Sequence, residues 1–204
     1  IKAVLVKRRV GGGVEDAEQA FFVVEHADQV GALEVAAGQA GNDLRGGLLR
    51  LRPRHAAHQV LEATTAWREH TAAVFDREAG GQLVYDRMDW THPNRWRFKQ
   101  RNETILQEVA RLEDALVEDP VQIAFNGGVA DMRAIASHLA SLPMAAQLEV
   151  ALTEYPRRDF SMVDVCAAGT NKGTGLAEVA RQYGVPQQAV MAVGDNHNDR
   201  DMLE

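Results

Sequence analysis

A segment near the end of the chain carries side chains that can bind a metal ion. The segment 194–199 has the sequence Gly-Asp-Asn-His-Asn-Asp and follows an apolar run at 189–193. Carboxylate and amide oxygens crowded on one turn suit a hard cation such as Mg²⁺, and they suit zinc or copper poorly. A solvated turn is the other interpretation, since Asp, Asn and Gly favour turns in any context. The residues alone leave both interpretations open.

A lysine at the start of a predicted helix is the second candidate. Thr170 or Asn171 can serve as N-cap, Lys172 follows, and Gly184 with Pro186 ends the helical pattern. A cation is unfavourable at the positive end of a helix unless it has a purpose, and free amides there favour a phosphate. A surface lysine tolerated at a frayed cap is the alternative.

The elements around these candidates follow the order helix, strand, loop. Apolar spacing predicts a helix over 171–183, and the continuous apolar run 189–193 predicts a strand of a parallel sheet buried on both faces. Sheets of this α/β type bind ligands beyond the carboxyl ends of their strands. The loop that follows residue 193 is therefore in the expected place for a site.

The rest of the chain also alternates between strand and helix patterns. Strands are predicted at 1–6, 21–24, 48–51, 72–75, 82–85, 121–125, 147–153 and 161–165. Helices are predicted at 14–20, 53–66 and 104–116 and after the glycine pair 127–128, whereas 7–13 carries no helix or strand signal.

Composition excludes several classes of protein. The 204 residues carry 22 Lys and Arg against 29 Asp and Glu, a net charge of −7, which argues against nucleic acid or an anionic membrane as partner. A single cysteine excludes an internal disulfide framework and a multi-cysteine zinc site. No apolar run reaches the length of a membrane helix, so we expect a soluble, cytoplasmic chain. Because it begins at Ile1 and ends in a predicted helix start, it has the look of a fragment.

Together the two candidate segments resemble the C-terminal half of a haloacid dehalogenase (HAD) superfamily phosphatase, of the Cof-type subgroup with a large C2 cap. That family has a lysine at a helix start and, later, a strand that ends in Gly-Asp-x-x-Asn-Asp. Here Asn-Lys-Gly at 171–173 and the sequence at 194–199 match both motifs in order and in their flanking elements.

The resemblance implies roles for four residues. Lys172 would bind the transferring phosphoryl group and act in catalysis, and Asn198 would contact the phosphate. Asp195 would ligate Mg²⁺, the implied cofactor. Asp199 would support the loop without binding the ion itself. The implied activity is hydrolysis of a small phosphorylated metabolite, a phosphomonoester of the sugar-phosphate kind; the oligomeric state is left open.

The resemblance also implies an architecture. We expect an α/β fold with a Rossmann-like HAD core, incomplete at both ends, and an inserted α+β cap of the C2 type. The N-terminal part of the core would be 1–45, the cap 46–168 and the C-terminal part 169–204. Such caps cover the site and choose the substrate. Basic residues of the cap either reach a sugar phosphate or are solvated surface: Arg95, Arg97, Lys99, Arg157 and Arg158.

The N-terminal segment departs from the family pattern. The family places Asp-x-Asp-x-Thr after the first strand, where the first Asp attacks phosphorus and the second is the general acid and base. Here 7–11 is Lys-Arg-Arg-Val-Gly, the first acidic residue is Glu15, and the first residue with a hydroxyl other than tyrosine is Thr64. We therefore expect impaired turnover, and a non-catalytic module that binds a phosphate ligand or a protein is the alternative.

Three explanations of this departure compete. In the first, the chain is a degenerate family member. In the second, 7–45 is a frame-shifted or otherwise corrupted sequence, or a splice between a real first strand and a real cap. In the third, another acid such as Asp16, Asp28 or Asp43 serves as nucleophile. The last is the weakest, because an attacking group must be aligned closely with phosphorus. The Arg/Gly/Ala-rich composition without hydroxyls favours the second.

Two further candidates are weak. His55 and His58 have a spacing that suits zinc on a helix, but no third ligand is evident and a surface pair explains them as well. Cys166 lies in an apolar strand pattern, which favours a packed small residue over a nucleophile.

Overall fold

The computed structural model describes residues 2–9, 18–25, 54–77, 80–194 and 199–204. The described strands are β1 (Lys2–Arg9), β2 (Glu18–Glu25), β3 (Thr71–Val74), β4 (Leu83–Tyr85), β5 (Leu106–Glu108), β6 (Gln122–Gly127), β7 (Leu148–Tyr155) and β8 (Phe160–Ala167). The described α-helices are α1 (Arg54–Ala63), α2 (Pro93–Asn102), α3 (Val129–Ala140), α4 (Lys172–Gln182) and α5 (Arg200–Leu203). None of the helices in the described ranges is long and apolar enough to cross a membrane.

The chain divides into two compact units. Unit 1 comprises Ile1–Leu48 and Asn171–Glu204, and unit 2 comprises Leu49–Thr170. Unit 2 therefore interrupts unit 1 along the sequence.

Unit 2 is built on a mixed sheet. Its described strands are ordered β5-β4-β3-β6-β8-β7, with β4 and β5 parallel and every other neighbouring pair antiparallel. In the register of β6 and β8, Phe125 lies opposite Val163 and Ile123 opposite Val165, so these four side chains share one face of the sheet.

The core of unit 2 lies between this face and two helices. Residues of α1 and α3 belong to the same buried cluster as the four sheet residues: Ala56, Ala57, Val60, Leu61, Met132, Ile135 and Leu139. Their spacing places apolar side chains on one stripe of each helix. The sequence predicted both helices, and the predicted strands at 72–75, 82–85, 121–125, 147–153 and 161–165 are confirmed with small shifts of their ends.

The helix predicted over 104–116 is wrong. The segment forms a 3₁₀ turn at Glu103–Ile105, then β5, then a second 3₁₀ turn at Leu112–Ala115. The backbone of β5 pairs with β4, and the carboxylate of Asp86 accepts a hydrogen bond from the amide of Leu112 at 3.1 Å. Long-range hydrogen bonds thus outweighed an apolar spacing that also fits a helix.

Two other helices differ from the prediction. Helix α2 was not predicted, because its surface is mostly polar and gives no apolar period; it begins with Pro93, and the His92 ring accepts the amide of Asn94 at 3.2 Å. Helix α1 ends at Ala63, and a 3₁₀ segment over Thr65–His70 replaces its predicted last turn.

Unit 1 also corrects the sequence prediction. Strand β1 continues through Arg9 and pairs antiparallel with β2, so 7–9 is strand and 18–20 is not helix. The predicted strand at 189–193 is wrong: Gln187–Ala189 is a 3₁₀ turn, and Met191 and Val193 are 47% and 56% exposed. A buried parallel strand needs a partner strand, and none of the described strands pairs with this segment.

Candidate functional site

The start of α4 is fixed by a capping box. The side chain of Asn171 accepts the amide of Thr174 at 2.8 Å, and the hydroxyl of Thr174 accepts the amide of Asn171 at 3.0 Å. The reciprocal bonds occupy helix-end amides that would otherwise lack partners. Asn171 is therefore the N-cap and Lys172 the first residue of the helix, in a first turn that contains no acidic residue.

Lys172 contacts a buried carboxylate from the end of the chain. Its Nζ donates a hydrogen bond to Oδ1 of Asp199, and the two side chains are 12% and 1% exposed. Asp199 is the residue before α5, yet it makes no side-chain cap to that helix. The carboxylate instead faces the ammonium group, which holds the two segments together.

The structure thus brings together two of the four predicted site residues. Lys172 and Asp199 are paired, whereas Asp195 and Asn198 lie outside the described residues, and the roles of all four stay predictions. The sequence pattern missed the direct contact between the pair, because nothing in the spacing shows which acid the lysine faces.

The donor chemistry of 194–199 fits a hard cation, since its side chains offer carboxylate and amide oxygens. The carboxylate of Asp199 faces Lys172, so Asp195 is the other acidic side chain of this segment and the candidate ligand that the sequence predicts. Within the described residues, no group of three or more His, Cys, Asp or Glu could hold a metal ion.

Arg95 is a buried cation of unit 2 with 3% of its surface exposed. Its Nη1 donates to the carbonyl of Asp89 at 2.8 Å, its Nε to Oδ1 of Asn126 at 2.5 Å, and its Nη2 to the carbonyl of Asn126, beside Nδ1 of His70. Burial and the nearby guanidinium lower the pKa of His70. Because its donors are used inside unit 2, Arg95 is neither solvated surface nor placed to bind a ligand.

The other basic candidates of unit 2 lie nearer the solvent. Arg97, Arg157 and Arg158 are exposed, and the ammonium of Lys99 lies 5.0 Å from the ring centroid of Trp90. Their role in binding stays a prediction.

The two weak candidates from the sequence are a cysteine and a histidine pair, and the structure describes Cys166 and the side chain of His58. Burial and the neighbouring carboxylates of Asp164 and Glu149 raise the pKa of Cys166 to about 12, which keeps it a thiol at neutral pH. His58 is exposed, and the side chain of His55 lies outside the described residues.

These features define a two-unit α/β protein with a lysine–carboxylate pair at a helix N-terminus, and the carboxylate of that pair is the last residue of the oxygen-rich sequence 194–199. A family model described as haloacid dehalogenase-like hydrolase matches residues 57–204, and the chain belongs to this family. The match includes both Lys172 and the segment 194–199.

The curated relatives it resembles are phosphatases. The chain is 30% identical over 96 residues to 5-amino-6-(5-phospho-D-ribitylamino)uracil phosphatase of Bacillus subtilis, covering 47% of this chain and 34% of the relative. It is 33% identical over 104 residues to HMP-PP phosphatase of Citrobacter koseri, covering 44% of this chain and 38% of the relative. The matched part is thus well under half of either relative.

Solved structures show the same fold. A haloacid dehalogenase-like hydrolase from Bacteroides thetaiotaomicron matches 75% of this chain and 53% of its own, with a TM-score of 0.56 and 16% identity. A Thermotoga maritima protein matches 75% and 52%, with a TM-score of 0.55 and 13% identity. The predicted α/β fold class is confirmed.

Proposed function

We propose that the chain binds a small phosphorylated metabolite at the N-terminus of α4 and that its family chemistry is Mg²⁺-dependent hydrolysis of a phosphomonoester. The pair of Lys172 and Asp199 carries this proposal, because it places a cation at a capped helix start within the matched region. A helix N-terminus and an ammonium group together favour a phosphate dianion.

Each site residue has a defined part in the proposal. Lys172 donates hydrogen bonds to phosphoryl oxygens while Asp199 fixes the direction of its side chain. Asn198 donates its amide to the phosphate, and Asp195 holds Mg²⁺. When bound, the cation would neutralise negative charge on the phosphoryl group.

Unit 2 supplies substrate selection in this proposal, with the cap at 46–168. The division of the chain into two units supports that assignment, and so do relatives named for phosphorylated small molecules. A substrate of the sugar-phosphate kind suits the exposed Arg97, Arg157 and Arg158, which carry guanidinium groups. We place the chain in the cytoplasm, in keeping with its single cysteine.

Turnover by this chain is impaired in our proposal. The residues after the first predicted strand are Lys-Arg-Arg-Val-Gly at 7–11, and β1 continues through Arg9 rather than ending before them. Lysine and arginine cannot form the acyl phosphate that the family chemistry needs. This observation favours the second candidate function, a module that binds a phosphate ligand without hydrolysing it.

Hydrolysis of p-nitrophenyl phosphate separates the two functions. We expect little or no Mg²⁺-dependent turnover by the wild-type chain. Substantial turnover that Asp195→Ala abolishes would show a working hydrolase and contradict the impairment.

Titration calorimetry with MgCl₂ and inorganic phosphate tests the binding function. We expect weak phosphate binding that Lys172→Met removes and weak Mg²⁺ binding that Asp195→Ala removes. Arg181→Ala is the matched control, because Arg181 is an exposed cation of α4 paired with Glu178. Absence of any binding by the wild-type chain would overturn the proposed function.

The coding DNA tests the origin of the departure. An Asp-x-Asp-x-Thr sequence in a neighbouring frame across 7–45 would identify a corrupted reading. Its absence from every frame would count against a frame-shifted reading.

A further inference from the structure

Gly173 lies against the backbone near the end of the chain. A Cβ atom at this position would come within 2.2 Å of the carbonyl oxygen of Asp201 and within 2.7 Å of its carbonyl carbon. Both distances are far below the van der Waals contact of carbon with either atom. Because the opposing atoms are backbone, rotation of a side chain cannot relieve the contact.

Gly194 makes a similar approach to the same turn. A Cβ atom there would lie 2.4 Å from Cβ of Asp199, 2.7 Å from its Cγ and 2.8 Å from Cε of Met202. Asp201 thus lies against Gly173 of α4, and Asp199 lies against Gly194.

The remaining glycine of α4 shows that the requirement is local. A Cβ atom at Gly175, two residues further along the same helix, would meet no atom within 4 Å. Gly173 also has no positive φ, so its backbone is open to any residue. The close approach alone excludes a side chain there.

We propose that Gly173 is a positioning residue, which sets the turn at 199–201 at the distance where Asp199 reaches Lys172. Gly194 restricts the position of the same turn through its contact with Asp199 and Met202. The link from this pair to phosphate binding rests on the proposed function, whereas the positioning itself concerns only the contact between the two side chains.

The substitution Gly173→Ala should disturb the contact between Lys172 and Asp199. The added methyl group must displace the backbone of Asp201, and Asp199 lies two residues before it. The hydrogen bond from Lys172 to Asp199 should lengthen or break. Gly175→Ala adds the same methyl group to the same helix without a contact, and it should stabilise the helix by restricting the unfolded chain.

The reactivity of Lys172 reports the contact directly. The intact chain is treated at one pH with limiting acetic anhydride, and acetylation of Lys172 is followed by peptide mass spectrometry, with Lys99 as reference for the reagent. We expect acetylation of Lys172 to be about tenfold faster in Gly173→Ala, as loss of a charge-assisted hydrogen bond implies. Gly175→Ala should match the wild type, and Asp199→Asn sets the rate for a lost ion pair.

Gly194→Ala gives a second measurement that does not depend on the first variant. It should also accelerate acetylation of Lys172. Far-UV circular dichroism establishes that each variant is folded before its rate is interpreted.

Each outcome decides the proposal. Wild-type rates in folded Gly173→Ala and Gly194→Ala would overturn it, as would equal acceleration in Gly175→Ala. If both variants fail to fold while Gly175→Ala folds, the glycines serve folding and the positioning role is wrong. The acetylation rate does not depend on turnover, so a chain with the expected rates but no phosphate binding would refute the proposed function alone.

Discussion

Lys172 and Asp199 form a buried ion pair across 27 positions of sequence. The pair joins the first turn of α4 to the residue that precedes α5. Removing one charge of a buried pair is costly, because the opposite charge stays buried without that partner.

Lys172→Met should therefore destabilise unit 1 strongly. We expect a loss of about 3–5 kcal/mol in the free energy of unfolding, because the carboxylate of Asp199 would remain buried after losing the ammonium group that faces it. Urea unfolding followed by circular dichroism, with hydrogen exchange of α4 peptides, measures the change; the three tryptophans, Trp67, Trp90 and Trp96, all lie in unit 2 and report on that unit instead.

The double variant Lys172→Met/Asp199→Asn is the control for this prediction. It removes both charges, so it should recover a large part of the stability that the single variant loses. Two additive losses would show that the two residues do not interact.

Arg68 should contribute as much to the stability of unit 2 as Lys172 does to that of unit 1. It is 2% exposed, is paired with Glu113 and lies 3.9 Å from the nearly buried carboxylate of Asp86. Arg68→Met removes the paired cation of Glu113 and leaves Asp86 with only the exposed Arg87, at 3.9 Å. We expect a loss of about 3–5 kcal/mol, measured by tryptophan fluorescence in urea.

Arg133→Met provides the contrast for Arg68. Arg133 is also paired with a glutamate, Glu154, but its side chain is 62% exposed. We expect no measurable change in the urea midpoint, since solvent screens exposed pairs. A similar loss in both variants would show that burial does not set the difference.

The stability of unit 2 should fall when His70 is forced to titrate. Burial and Arg95 lower the pKa of His70 below 6.5, while Glu69 and Asp131, each with a carboxylate oxygen 3.9 Å from Nε2, oppose the shift. Between the folded pKa and 6.5 the unfolded chain binds more protons, so the free energy of unfolding decreases as pH falls through this range.

His70→Asn tests this pH dependence. The amide of asparagine offers an acceptor near the position of Nδ1, which faces Arg95, but it does not titrate. The slope of stability against pH below 6.5 should be smaller in the variant than in the wild type, by tryptophan fluorescence in urea at a series of pH values. Equal slopes would assign the pH dependence to other groups.

Cys166 should react slowly with thiol reagents. Its pKa of about 12 leaves very little thiolate at pH 8. We expect the reaction with 5,5′-dithiobis(2-nitrobenzoic acid) to be on the order of 100-fold slower in the native chain than in denaturant, where the ordinary thiol pKa returns. Equal rates would show an accessible, reactive cysteine.

Local signals predicted several elements of this chain well. The cap, apolar stripe and terminal glycine of α4 are all contained in residues 171–184, and the helix formed within one residue of its predicted ends. The hairpin of β7 and β8 likewise depends on alternation and a polar turn. Such elements could be predicted because the residues that determine them are neighbours in sequence.

Other elements were mispredicted because distant residues determine them. Leu112 occupies a helical spacing with Leu116, yet two long-range interactions impose strand and 3₁₀ turn instead. These are the pairing of β5 with β4 and the hydrogen bond that the amide of Leu112 donates to the carboxylate of Asp86. The apolar run at 189–193 predicts a strand, but a strand exists only where a partner accepts its hydrogen bonds.

The sequence by itself determined the family, the α/β class and the residue types of the candidate site, because motif order and hydrophobic period are local properties. Only the tertiary structure decided that Lys172 faces Asp199 and that Arg95 is buried against Asn126. It also showed that a missing side chain at Gly173 allows the close approach of Asp201. These are distances between residues far apart in the chain, and packing alone sets them.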